Sequence, residues 1–186
     1  MPDELRELVE RCLAGDEPAM TALVDRFRGQ VLGVCLRMMG NRADAEDAAQ
    51  ETFTRALRYL RHWDNTRDFG PWLFGIAGNR CRSLLAIRKN KPRMAILADG
   101  QADNTPDPQD EQQLAEEIER ALKLLRDEHR QAFLLFHEQQ MSYDEIAAAL
   151  DSPLGTIKTW VHRARRQLAE ELIKRGVVGE TDHAVR

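Results

Sequence analysis

Apolar positions along this chain recur at intervals of three and four, and no stretch alternates in the way a half-buried strand does. Met20, Leu23, Val24, Phe27, Val31, Cys35 and Met38 fall on one stripe, which predicts a helix over about 17–39 that stops before Gly40. Before it, a helix over about 4–14 has Asp3 as its N-cap and Gly15 just past its end. Asn41 caps a third helix over about 42–62, with Ala45, Ala49, Phe53, Ala56 and Leu60 facing inward. The string RHWDNTRDFGP then breaks the periodicity, and a fourth helix runs over about 71–90. Four shorter helices are predicted further on, at about 112–125, 127–140, 142–150 and 153–175. The pattern is all-α.

Between the fourth and fifth helices lies PRMAILADGQADNTPDPQDEQ, residues 92–112, which holds three of the seven prolines. Its composition reads as a flexible acidic linker, mobile on its own. The expected organisation is therefore two small helical domains, 1–91 and 113–176, joined by that linker and followed by a short tail, 177–186. A length of 186 residues suits this, since a domain takes roughly 100–200 residues or fewer. There is no internal repeat and no low-complexity tract.

Charge changes the picture more than composition does. The formal net charge is only −4, but the charges are segregated. Residues 61–93 carry eight basic side chains (Arg61, Arg67, Arg80, Arg82, Arg88, Lys89, Lys91 and Arg93) against Asp64 and Asp68. Residues 94–119 carry eight acids and no base. Residues 155–175 hold Lys158, Arg163, Arg165, Arg166, Lys174 and Arg175 against Glu170 and Glu171. Two basic patches flanking an acidic stretch suit two contacts with a polyanion, or a chain that masks its own basic faces.

Several classes drop out. No run approaches the ~18 apolar residues of a membrane span, and the acidic, amphipathic start MPDELRELVE is not a secretory signal. Cys12, Cys35 and Cys81 are too far apart for a C-x-x-C pair; small buried hydrophobes is the simplest role for Cys12 and Cys35, with oxidation sensing by the three thiols as the alternative. A reduced, cytoplasmic protein without cofactor or metal is expected. No nucleophile–base pair, phosphate loop or metal cluster is visible, so an enzyme is not expected.

The last two helices have the spacing of a helix-turn-helix. Ser142 and Glu145 form an S-x-x-E capping box, and Ser152–Pro153 is read as the N-cap and first-turn pair of the final helix. Ile157, Val161, Ala164, Leu168 and Leu172 make its inward stripe. The opposite face presents Lys158, Thr159, His162, Arg163 and Arg166. Long donors on such a face reach base edges and phosphates in a major groove. A solvated basic face on a bundle helix is the plainer alternative; turn chemistry, capping box and charge together favour the groove.

Three strings, DAEDAAQETFTRAL (44–57), FGPWLFGIAGN (69–79) and SYDEIAAALDSPLGTIKTWVHRARRQL (142–168), stand in the order and spacing of a known family. In them the chain resembles bacterial sigma factors of the extracytoplasmic-function (ECF) group. The resemblance spans about Asp16 to Leu172. It implies a promoter-specificity subunit with no catalysis of its own, which binds core RNA polymerase and promoter DNA, both duplex and melted non-template strand. It also implies an anti-sigma factor as partner, often membrane-bound, that clamps both domains and sequesters the chain at the inner membrane face. Membrane insertion of the chain itself is not expected.

The resemblance also distributes roles. Asp44, Asp47, Gln50, Glu51 and Arg55 fall where the family docks on the polymerase. An acidic first turn favoured by the helix dipole is the simpler account of Asp44, Glu46 and Asp47, and it covers Gln50 and Glu51 less well. Trp63, Asn79, Arg80, Ser83 and Arg88 fall where the family holds and reads the melted minus-ten element. By W-L-x-x-I spacing, Trp72 joins Leu73 and Ile76 in the core, Phe69 leans the same way, and Trp63 could serve core or bases. Lys158, Thr159, His162, Arg163 and Arg166 fall on the minus-thirty-five reader, with Arg165 near the backbone. Two features depart from the pattern: Leu125-Arg126 stands where Leu-Pro is usual, and Gly75 and Gly78 lie inside the fourth helix, at up to ~1 kcal/mol each relative to alanine. The rival readings are a free-standing helix-turn-helix regulator, which leaves residues 44–91 without a purpose, and a helical adaptor that touches no nucleic acid.

Overall fold

Local chemistry sets the helix ends. Asp16 Oδ1 accepts the backbone N–H of Ala19 at 3.1 Å, and Gly40, at φ 73°, turns the chain out of the second helix. Asn41 Oδ1 accepts from Asp44 N at 2.9 Å. In the computed structural model, which describes residues 2–90 and 109–178, the helices are α1 (Pro2–Leu13), α2 (Glu17–Met39), α3 (Arg42–Tyr59), α4 (Phe69–Asn90), α5 (Gln109–Lys123), α6 (Asp127–His137), α7 (Tyr143–Leu150) and α8 (Leu154–Lys174). A 3-10 turn, Leu60–His62, follows α3. Among the described residues there is no strand. The expected linker falls outside the described residues except at 109–112, where α5 has already begun. Asp3 is not the N-cap of α1, because the helix already begins at Pro2 and takes Asp3 into its first turn; most of the tail lies outside the described residues.

Two expected boundaries move for identifiable reasons. α6 ends at His137, not near 140, because Gln140 takes φ 53° and turns the chain. Ser152 is not the cap of α8. Asp151, left-handed at φ 48°, ends α7 and leaves the Ser152 hydroxyl donating back to Leu150 O at 3.2 Å. Pro153 occupies the N-cap position instead. The capping box of α7 is present in full: Glu145 N donates to Ser142 Oγ at 3.2 Å, and Ser142 N to Glu145 Oε2 at 2.7 Å.

α2 is the central strut of the first half, packed by α1, α3 and α4. It buries Leu23, Phe27, Val31, Val34, Cys35 and Met38 against Leu73, Ala77 and Cys81 of α4. Each large apolar side chain so buried is worth about 1.5–3 kcal/mol. The three thiols are free and buried. A thiol–thiol hydrogen bond to Cys81, and burial after it, hold Cys35 protonated well above the ordinary thiol range. In the second half α6 and α8 carry the core, with Leu134, Leu135, Ile146, Ile157, Val161 and Leu168 buried between α6, α7 and α8. The halves also touch: α4 packs on α6 and α7, and α2 on α6. Arg37 Nη1 meets Glu138 Oε1 at 2.8 Å and Lys89 Nζ meets Asp127 Oδ2 at 2.6 Å.

Candidate nucleic-acid and partner interfaces

α8 sorts its residues by period. Ile157, Val161, Ala164 and Leu168 are buried, so Lys158, Thr159, His162, Arg163 and Arg166 are driven to the opposite side, and all five are exposed. Arg166 lies 3.5 Å from Glu170, and Thr159 Oγ1 donates to Gly155 O at 2.8 Å. The five make one largely cationic strip along the solvent face of α8. Arg165 turns elsewhere: its guanidinium sits 5.5 Å from the Phe136 ring centre and its Nε donates to His137 Nε2 at 3.0 Å. Trp160 is half-buried, with its ring 6.5 Å from that of His129, so it shields the unit's core.

That donor geometry requires His137 Nε2 to be unprotonated. Burial first, and the nearby Arg165 charge second, hold the His137 imidazole below the ordinary histidine value of 6.5. Burial does the same to His129, aided by Arg126 and Arg163 and opposed by Glu128. The unfolded chain therefore binds more protons than the folded chain once the pH drops below 6.5, and stability falls in that window. The melting temperature should be lower at pH 5 than at pH 7.5, and His137→Gln should remove part of that difference. An unchanged difference in the variant would contradict the assignment.

The expected minus-ten residues run from the loop before α4 to its last turn, where Arg88 stands. Phe69 is buried at 2% exposure and forms a hub, with Phe27 at 5.2 Å, Trp63 at 5.3 Å and Trp72 at 5.4 Å between ring centres. Trp63 is half-buried edge-on to Phe69. Its Nε1 makes no hydrogen bond, and its ring helps to line a cavity of about 760 Å³ with His62, Arg67 and Trp72. Asn79 and Arg80 are half-buried, whereas Ser83 and Arg88 are exposed. Asn79 Oδ1 accepts from Arg82 Nη2, and Ser83 Oγ donates to Asn79 O at 2.9 Å.

On α3, Asp47, Gln50 and Arg55 are exposed, and Asp44 and Glu51 are half-buried. The two half-buried acids do not simply face solvent. Glu51 Oε1 pairs with Arg80 Nη2 and Asp44 Oδ2 with Arg88 Nη1, each at 2.5 Å, while Arg55 lies 3.9 Å from Glu51. The structure thus brings the two expected sets together as neighbouring strips stitched by ion pairs. Asp127 and Glu128 of α6 and Asp144 and Glu145 of α7 line clefts shared with α4 and its preceding loop; sequence reasoning gave them no place there, Glu145 being read only as half of the capping box. For the other three the signal in the sequence was an acidic first helical turn.

Among the described residues no group of His, Cys, Asp and Glu could hold a metal ion, and no helix is long and apolar enough to cross a membrane. An exposed cationic helix behind a capped three-residue turn, beside a second helical unit with an acidic strip and a basic-aromatic strip, defines a two-unit, helix-turn-helix DNA-binding protein. Residues 23–93 match the Sigma-70 region 2 family and residues 115–168 the Sigma-70, region 4 family. The chain is 31% identical to the ECF RNA polymerase sigma factor SigW of Bacillus subtilis, over 90% of this chain and 96% of that one. It is 29% identical to the ECF RNA polymerase sigma-E factor of Escherichia coli, over 90% and 95% respectively. Among solved structures it is similar to CnrH in complex with the cytosolic domain of CnrY, with a TM-score of 0.66 and 27% identity, covering 91% of this chain and 97% of that one. The protein belongs to the ECF sigma factors, transcription initiation factors that direct RNA polymerase to promoters.

Proposed function

We propose that the chain confers promoter choice on core RNA polymerase through three surfaces, has no catalysis of its own and works in the cytoplasm. The unit ending near residue 91 docks on the polymerase with Asp44, Asp47, Gln50, Glu51 and Arg55 of α3. It holds the melted minus-ten strand with Trp63, Asn79, Arg80, Ser83 and Arg88. The unit from about 113 to 176 reads the minus-thirty-five duplex with Lys158, Thr159, His162, Arg163 and Arg166, and the acidic segment 92–112 links the two. The observation that carries the reading is the cationic strip of α8, a five-residue face exposed to solvent among the described residues. An anti-sigma factor is the expected regulator; CnrH, similar along nearly its whole length, was solved with the cytosolic domain of CnrY.

Asp47 and Gln50 test the polymerase face because both are exposed and their substitution leaves the helical core intact. Asp47→Arg with Gln50→Ala should weaken binding to core polymerase at least about tenfold, since like or misplaced charge at a docking face costs several kcal/mol. Binding is read by fluorescence anisotropy of labelled protein, with the helical circular dichroism signal unchanged. Wild-type affinity in the double variant would refute the assignment of that face.

A further inference from the structure

Arg165 lies between Arg163 and Arg166 in sequence, yet it leaves their strip and reaches back to α6. Its Nε donates to His137 Nε2 at 3.0 Å, and its guanidinium carbon stands 5.5 Å from the centre of the Phe136 ring. The same ring stacks on Tyr143, the first residue of α7, with centres 4.6 Å apart and planes 20° apart. His137 in turn lies 4.4 Å from Phe133 and 5.0 Å from Phe136 between ring centres. A cation, an imidazole and the rings of Phe133, Phe136 and Tyr143 thus tie α6, α7 and α8 together at one point. The main chain there is fixed as well: Gln140, at φ 53°, donates from Nε2 to His137 O at 2.6 Å.

Such a pair holds in one protonation state only. A guanidinium has no lone pair to offer, so the imidazole must accept, and Nε2 accepts only while the ring proton sits on Nδ1. A second proton on the ring would set two cations 3.0 Å apart and turn the attraction into repulsion. From α8 the charge facing His137 is Arg165. From α7 it is met by the neutral phenol of Tyr143, behind Phe136. On α6 the neighbouring Glu138 is engaged by Arg37 of α2 at 2.8 Å. Burial first, and the Arg165 charge second, disfavour the added proton, so the pair is intact above the ordinary histidine value of 6.5 and is lost progressively below it.

We propose that His137 is a positioning residue for the recognition helix: through Arg165 it fixes how α8 sits on α6 and α7, and its protonation frees α8 from the orientation in which the strip reads duplex. The consequence is a loss of minus-thirty-five selectivity in mild acid, while docking through α3 in the other unit is untouched. The inference rests on the duplex-reading role proposed above for the α8 strip.

Two measurements on the full-length protein test this, the first without polymerase. NMR of isotope-labelled histidines should find His137 as the Nδ1-protonated tautomer, titrating below 6.5, and Arg165→Met should move that titration upward. In the second, holoenzyme is bound to a promoter whose minus-thirty-five element is intact or scrambled. The preference for the intact promoter should fall at least about threefold between pH 7.5 and pH 5.8 in the wild type, the scale of one hydrogen bond to a charged group. His137→Gln keeps an acceptor for Arg165 but gains no charge, so it should hold its preference across that range. His129, His162 and the polymerase titrate in both proteins, so the difference isolates His137. Arg165→Met should show the lowered preference already at pH 7.5. A proton on Nε2 of His137 at neutral pH, or a His137→Gln protein that loses preference with acid as the wild type does, would overturn the proposal. A His137 that titrates as expected in a protein with no distal-element preference at either pH would refute the reading of α8 instead.

Discussion

Lys158→Ala combined with Arg163→Ala should cut promoter-dependent initiation steeply while leaving core-polymerase binding unchanged. Both side chains are exposed on α8 with the buried stripe Ile157, Val161 and Ala164 behind them, so their removal creates no cavity. Each well-placed contact to a base edge is worth about 1–3 kcal/mol, so losing two reduces promoter use at least about 30-fold. The effect should depend on the upstream element: a promoter library should lose its minus-thirty-five preference, not only its overall yield. A variant that initiates like the wild type would return α8 to the status of a solvated bundle helix.

Phe69→Ala should have the largest effect on stability, and it reaches function through the loop. Phe69 joins α2 through Phe27 to the turn through Trp63. Truncating a buried phenylalanine costs about 3–5 kcal/mol, by lost burial and by the cavity left behind. The local loss is specific: Trp63 loses the ring it packs edge-on, so the cavity it lines with His62, Arg67 and Trp72 loses its shape. Chemical denaturation should show the fall in stability. Phe69→Leu, which keeps most of the volume, should restore much of it. Equal damage from both variants would mean that the ring contacts with Phe27, Trp63 and Trp72, and not side-chain volume, carry the stability.

These two predictions also mark where the sequence was legible and where it was not. The α8 strip could be read because helical period fixes which side chains oppose a buried stripe, and the structure exposes the five residues that period selects. The capping box of α7 was legible for a similar reason: it closes within four residues. The cap of α8 was misread because Ser-Pro before a helix fits a cap, while Asp151 in a left-handed conformation turns the serine hydroxyl backward. Phe69 and Trp72 were placed inward by spacing alone. The pairs Glu51–Arg80 and Asp44–Arg88 were beyond reach, since they join residues 29 and 44 positions apart, and no local rule sets that register. Gly75 and Gly78 carried a visible cost in helix propensity but no visible benefit, because the helices that use the space arrive from 50 residues or more further along.

Run-off transcription from a promoter library, using core polymerase freed of other sigma factors, tests the account most directly. With the protein added, new start sites should appear that share two upstream motifs, and Lys158→Ala with Arg163→Ala should erase the distal one. A folded protein that neither binds core nor produces any new start site would contradict the assignment.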